Sequence, residues 1–185
     1  IEVLGGGTWR DFDDFILTAN SAANNDVDTL DGGAGNDKLF GYGGDDIING
    51  GDDNDFIRGG DDDDTLNGDA GNDRIFGDDG VDTINGGDGD DIILTGINGP
   101  DYIGSYVDGG DGNDRITTAD LGSTGDIYSG GAGNDQITVN QRSARLTHLQ
   151  GDAGNDTLSA NNRDAILDGG ADDDLLISGS RGVEM

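Results

Sequence analysis

From Ala23 to Leu94 an aliphatic residue returns at every ninth position: Leu30, Leu39, Ile48, Ile57, Leu66, Ile75, Ile84 and Ile93. Two residues before each stands an aspartate, in the unbroken series Asp28, Asp37, Asp46, Asp55, Asp64, Asp73, Asp82 and Asp91. Cut from Ala23, the nine-residue units carry Asp at position six and Leu or Ile at position eight. Mostly Gly, Asp and Asn lie between. Gly permits the positive φ angles of a tight turn, and Gly and Asp are poor helix-interior residues. The pattern predicts turns of about six residues joined by short strands of about three, with few long helices. Side chains alternate along a strand, so position eight points inward and positions seven and nine outward.

The frame loosens after Leu94 without ending. "GGDGNDRIT" begins at Gly109, "GGAGNDQIT" at Gly130, "GDAGNDTLS" at Gly151 and "GGADDDLLI" at Gly169, with position-six residues Asp114, Asp135, Asp156 and Asp174. The steps from Gly86 are 23, 21, 21 and 18 residues, each two units with up to five residues added. The intervening segments 95–108, 118–129, 139–150 and 160–168 lack the glycine-rich loop. These twelve units resemble the RTX (repeats-in-toxin) nonapeptide, Gly-Gly-x-Gly-x-Asp-x-U-x, over residues 23–177. The resemblance implies an all-β fold, a right-handed parallel β-roll with calcium ions in its turns. It also implies type I secretion, with the module unfolded in a low-calcium cytosol and folded outside the cell.

Two units close a coil of 18 residues, and coils stack about 4.8 Å apart. Every second loop then lies over its predecessor. The loops at Gly32, Gly50, Gly68, Gly86, Gly109, Gly130, Gly151 and Gly169 share one edge and leave seven gaps. Those at Ala23, Gly41, Gly59 and Gly77 share the other and leave three. Calcium takes six to eight oxygens, which the carboxylates and turn carbonyls of two stacked loops can supply. The expected ligands are the twelve position-six aspartates and backbone carbonyls of the eleven glycine-initiated loops. That gives about ten Ca2+ sites. Asp101, in "NGPDY" beneath the Gly77 loop, is a candidate for an eleventh.

Charge sharpens this picture. The 185 residues carry a formal net charge of −31, and all of the 40 acidic residues except Glu2 and Glu184 are aspartate. A surface needing only solubility could use either acid. Aspartate stays near its own backbone, which suits tight turns and hard-cation sites. Only two aliphatic side chains point into each coil, too few to order its residues without a further contribution. Metal binding is therefore expected to supply part of the folding free energy, leaving the metal-free chain largely disordered.

Several classes of function recede. An acidic surface repels phosphates, which argues against nucleic acid as a partner. No apolar run is long enough to span a membrane. The absence of cysteine excludes disulfides and thiolate metal sites, and His148 is the only histidine. The paired carboxylates recur in every unit, so none stands out as catalytic, and no enzymatic activity is expected. Outward Thr and Asn ladders would point to ice binding, but position three is Ala or Asp throughout the Gly32 series and never Thr.

Other features qualify the reading. Residues 1–22, with Trp9, Phe12, Phe15, Ile16 and Leu17, are expected to cap or link the solenoid, and 178–185 to form a tail. The outward positions after the Gly32-series loops spell a mixed strip of Lys38, Phe40, Phe56, Arg58, Arg74, Phe76, Ile92, Leu94 and Arg115. Either it contacts a partner or the N-terminal segment or an adjoining domain covers it. Arg142, Arg145 and Arg163 are expected on one edge, as candidate contacts to an anionic polysaccharide. The expectation is a calcium-binding module of a larger secreted or cell-surface protein. Two alternatives stand beside it: a carbohydrate-binding module of a polysaccharide-modifying enzyme, or a structural spacer of an adhesin or surface layer.

Overall fold

The computed structural model describes residues 8–10, 16–18, 26–96, 104–118, 125–140, 146–161 and 164–179. They form eighteen strands and no helix. In chain order these are β1 (Thr8–Arg10), β2 (Ile16–Thr18), β3 (Thr29–Ala34), β4 (Lys38–Gly43), β5 (Ile47–Asp52), β6 (Phe56–Asp61), β7 (Thr65–Ala70), β8 (Arg74–Asp79) and β9 (Thr83–Asp88). There follow β10 (Ile92–Thr95), β11 (Tyr106–Asp111), β12 (Arg115–Thr118), β13 (Asp126–Ala132), β14 (Gln136–Val139), β15 (Thr147–Ala153), β16 (Thr157–Ala160), β17 (Ile166–Asp168) and β18 (Leu175–Ser178).

Odd-numbered strands form one nine-stranded sheet and even-numbered strands a second, each in sequential order. Every pairing is parallel, as between Leu30 and Ile48 or Ile48 and Leu66. One coil thus contributes one strand to each sheet, and the chain is a parallel β-roll. The two sheets face each other across a row of position-eight side chains. Leu30, Leu39, Ile48, Ile57, Leu66, Ile75, Ile84 and Ile93 are all 0% exposed.

Beyond Leu94 the same row continues. Ile84 registers with Val107, Val107 with Tyr128, and Tyr128 with Leu149, while Ile93, Ile116, Ile137 and Leu158 follow on the other sheet. Added residues therefore enter the connections, and strand register is kept. A register slip would turn the aliphatic row out to solvent, so burial enforces this. Val107, Tyr128 and Leu149 fill core places that no nonapeptide pattern marks.

The strands are longer than the three residues the pattern predicts. In the regular half each runs six residues, from position seven into position three of the next unit. Alternation continues over that length. Positions six, eight and one consequently share the inward face, and Asp28, Leu30 and Gly32 are all buried. The chain bends away only at positions two and four, where φ turns positive: Gly33 at 94° and Gly35 at 109° in one loop, Tyr42 at 75° and Gly44 at 107° in the next. At the N-terminal end β1 pairs with β3 and β2 with β4, extending both sheets. At the other end the last coil exposes Leu175, Leu176 and Ile177.

Candidate metal centre

The position-six aspartates lie inside the roll at the mouth of each turn. From Asp28 to Asp156 all eleven are 1–3% exposed, while Asp174 in the last coil is half-buried. Their two carboxylate oxygens have separate tasks. Oδ1 accepts the backbone N–H of the equivalent aspartate one coil earlier. On the Gly32 edge the ladder runs without a break: Asp37 N–H to Asp55, Asp55 to Asp73, Asp73 to Asp91, Asp91 to Asp114, Asp114 to Asp135, Asp135 to Asp156 and Asp156 to Asp174, at 2.7–3.0 Å. On the opposite edge Asp28, Asp46 and Asp64 donate in the same way to Asp46, Asp64 and Asp82.

Oδ2 is different. In Asp46, Asp55, Asp64, Asp73, Asp82, Asp91, Asp114, Asp135 and Asp156 it is buried and accepts no hydrogen bond. Native interiors rarely leave such an oxygen unsatisfied, because it forfeits its hydration with no return. Each Oδ2 is aimed at the inward face of the position-one glycine of its own loop. A Cβ added to Gly50 would meet Asp55 Oδ2 at hard contact and lie 2.7 Å from the Gly68 carbonyl oxygen of the next coil. A Cβ on Gly41 would likewise meet Asp46 Oδ2 and lie 2.6 Å from the Gly59 carbonyl oxygen. The same convergence of a carboxylate oxygen and a carbonyl oxygen recurs at Gly32, Gly59, Gly68, Gly86, Gly109 and Gly151.

Burial also disturbs the acidity of these carboxyls. Desolvation is the largest cause throughout; neighbouring aspartates add to it, and the backbone hydrogen bond at Oδ1 opposes it. The values rise to about 6 for Asp46, Asp73 and Asp114, about 7 for Asp55, Asp82, Asp91 and Asp135, and about 8 for Asp64. Asp156 is raised as well. Such a group demands either a proton or a cation. The available donors are all hard oxygens, the set calcium prefers. No group of three or more His, Cys, Asp or Glu side chains converges among the described residues. A cation here would therefore depend on one or two carboxylates and on backbone carbonyls.

The two edges part company after the Gly77 loop. No carbonyl of a following coil approaches the inner face of Gly77 as one does at Gly59. The inward place held elsewhere by glycine is taken by Thr95, Thr118, Val139 and Ala160, in register with one another. The place of the aspartate is taken by Ser105, Asp126 and Thr147. Ser105 and Asp126 continue the ladder, for Asp82 N–H donates to Ser105 Oγ and Ser105 N–H to Asp126 Oδ1, both at 3.1 Å. The nonapeptide pattern is silent here, so these rungs escaped the sequence reading. Ser105, Asp126 and Thr147 each stand two residues before an inward core residue, Val107, Tyr128 and Leu149, as each aspartate stands two before its Leu or Ile, and that spacing was the signal that could have found them. Asp101, Arg142, Arg145 and Arg163 lie outside the described residues.

A second, outer ladder runs beside the first. The side-chain oxygens of Asn36, Asn54, Asn72, Asp90, Asn113, Asn134 and Asn155, at position five, each accept the N–H of the corresponding residue one coil later, at 2.6–3.1 Å. The outward face of the even-numbered sheet carries the predicted strip. Lys38, Phe56 and Arg74 register in one column and Phe40, Arg58 and Phe76 in the other. Phe56 packs against Phe40 and Phe76 with ring centroids 5.7 and 5.2 Å apart.

A family profile, the RTX calcium-binding nonapeptide repeat, matches residues 23–57, 58–93, 105–120, 121–140 and 150–180. These segments cover most of the chain. The protein belongs to the RTX calcium-binding repeat family. No curated protein matches it. Membership agrees with the buried oxygens. RTX repeats bind calcium, and nine carboxylates here present an oxygen that nothing in the protein satisfies.

Proposed function

We propose that this RTX roll is a non-enzymatic calcium-binding module that folds when calcium enters its turns, within a larger protein exported to a calcium-rich exterior. The observation that carries the reading is the buried Oδ2 with no hydrogen-bond donor. Position-six aspartates supply that oxygen. The position-one carbonyls of Gly50, Gly68, Gly86, Gly109, Gly130 and Gly169 on one edge, and of Gly59 and Gly77 on the other, supply a second. Calcium supplies the positive charge that lets stacked carboxylates share an interior. The loop arithmetic gives about ten ions, which is what the six-to-eight-oxygen demand of calcium allows.

Far-UV circular dichroism and small-angle scattering test this. The chain dialysed free of divalent ions should be mostly coil and expanded. Millimolar calcium should produce β signal and compaction, with magnesium a poor substitute because it holds its waters and needs tight octahedral geometry. A compact, calcium-insensitive roll would overturn the reading.

The strip on the even-numbered sheet favours a second role, binding an anionic polysaccharide as the carbohydrate-binding part of an export substrate. Three adjacent strands each present one cation and one phenylalanine, on a molecule whose net charge is −31. Rings can stack on sugar faces while Lys38 and Arg74 meet carboxylates; Arg58 is already held in an ion pair by Asp78. Isothermal titration of the calcium-loaded chain with a uronate oligosaccharide should show binding that Lys38→Glu with Arg74→Glu removes. Undiminished binding by that variant would discard the strip as the site.

A further inference from the structure

We propose that the edge through Thr118, Val139 and Ala160 is a cation-independent spine, by which the C-terminal coils assemble at lower calcium than the N-terminal coils. The inference rests on the calcium reading above. It begins from why position one is glycine. At Gly41, Gly50, Gly59 and Gly68 the backbone keeps a negative φ, whereas positive φ falls at positions two and four. Even there, Tyr42, Asp53, Asp62 and Asp69 are accepted. Position one therefore needs glycine for space: a Cβ would occupy the room into which Oδ2 and the next carbonyl point.

On the spine that room is filled by the chain's own atoms. Thr118 and Val139 are 0% exposed, and Ala160 is 1% exposed. Their methyl groups are buried where the other edge buries a charge. Ser105 Oγ takes the Asp82 N–H that an aspartate would otherwise take, and does so without charge. Thr147, also 0% exposed, stands where the next aspartate would be. Asp126 is the one carboxylate retained, and it accepts the Ser105 N–H. The two halves therefore differ in what they owe to a cation. Coils from Asp46 to Asp91 bury unsatisfied carboxylates on both edges; those from Asp114 to Asp156 bury them on one.

Linkage fixes the consequence. A unit that must collect more ions to fold depends more steeply on ion concentration. In a solenoid each coil is stabilised by its neighbours, so the half that forms first offers β10 and β11 as edges on which the other half can grow. Growth then proceeds from the C-terminal coils toward the N-terminal ones as calcium rises.

Segment-resolved hydrogen exchange of the whole chain across a calcium titration tests this. Amides of β12, β14 and β15 should reach half-protection at several-fold lower calcium than those of β3, β5 and β7, and with a shallower dependence. A common midpoint, or earlier protection of β3–β7, overturns the spine. Absence of any calcium response overturns the calcium reading itself, so the two failures are distinct. Val139→Ala, mild enough to keep the fold at saturating calcium, should raise the midpoint of the C-terminal segments alone. Gly50→Ala should raise that of the N-terminal segments alone. A Val139→Ala midpoint unchanged in every segment also overturns the proposal.

Discussion

Within one rung, each aspartate does two jobs with two oxygens, and the jobs can be separated. Oδ1 of Asp73 holds the Asp55 N–H at 2.7 Å, while its Oδ2 is buried and unpartnered. Asp73→Asn keeps an acceptor for that N–H and removes the charge. The calcium-free chain should become more stable, by the order of an unsatisfied buried group, about 1–3 kcal/mol. The calcium-loaded chain should bind fewer ions and need more calcium to fold. Far-UV circular dichroism in chelator, read for gained β signal, beside a calcium titration of folding with ion counting by equilibrium dialysis, reads both signs; no gain of β signal in chelator together with an unchanged ion count would assign Asp73 a purely structural role. Gly50→Ala acts on the same rung from the other side. Its Cβ meets Asp55 Oδ2 and the Gly68 carbonyl, and such overpacking costs about 1–3 kcal/mol. Gly51→Ala differs in cause, since there φ is +113°. Position six and position eight were legible because a short period repeats a residue type. The spatial role of position one was not, because a missing side chain reads first as turn freedom. Ser105 and Asp126 were not, because a rung needs only an acceptor and serine and aspartate share no pattern.

Among the elements, the repeat predicted alternating strands and found them, but underestimated their length. Turn composition marked positions one to six as loop, whereas extended backbone persists until the positive φ of position two and the bend at position four, as at Asp69 and Gly71. The outer asparagine ladder shows the same limit. Position five could be recognised as Asn-rich, yet only stacking reveals that Asn54 and Asn72 bridge successive coils. The diagonal phenylalanine contacts between the two columns depend on register between β4, β6 and β8. Phe56 meets a ring on each side, and such pairs contribute about 0.5–1.5 kcal/mol each. Phe56→Ala should therefore lower the urea midpoint of the calcium-loaded chain while leaving the number of bound ions unchanged. A loss of bound calcium in that variant would mean that the sheet face and the turns are coupled more tightly than their separation across the strand implies.

For the molecule as a whole, a formal charge of −31 and a row of buried carboxylates make protons and calcium rivals for the same oxygens. The sign follows from the folded values. Asp46, Asp73 and Asp114 at about 6, Asp55, Asp82, Asp91 and Asp135 at about 7, and Asp64 at about 8 all lie above the ordinary 3.8. Between 3.8 and those values the cation-free roll binds more protons than the unfolded chain, so its stability falls as pH rises through that window. Acid should thus favour the calcium-free fold, opposite to the usual acid denaturation of proteins whose carboxylates are paired. With calcium present the order reverses. A proton on Oδ2 displaces the ion, so the calcium concentration needed for folding should rise as pH falls from 8 toward 6. Added sodium chloride should do little to replace calcium, because screening acts on exposed charges and these oxygens are buried. Circular dichroism in dialysed, ion-free buffer from pH 4 to pH 8, repeated across calcium concentrations, measures both trends. A calcium-free chain that gains β signal as pH rises would show that the aspartates ionise freely in the cation-free state and that charge repulsion does not govern the empty roll.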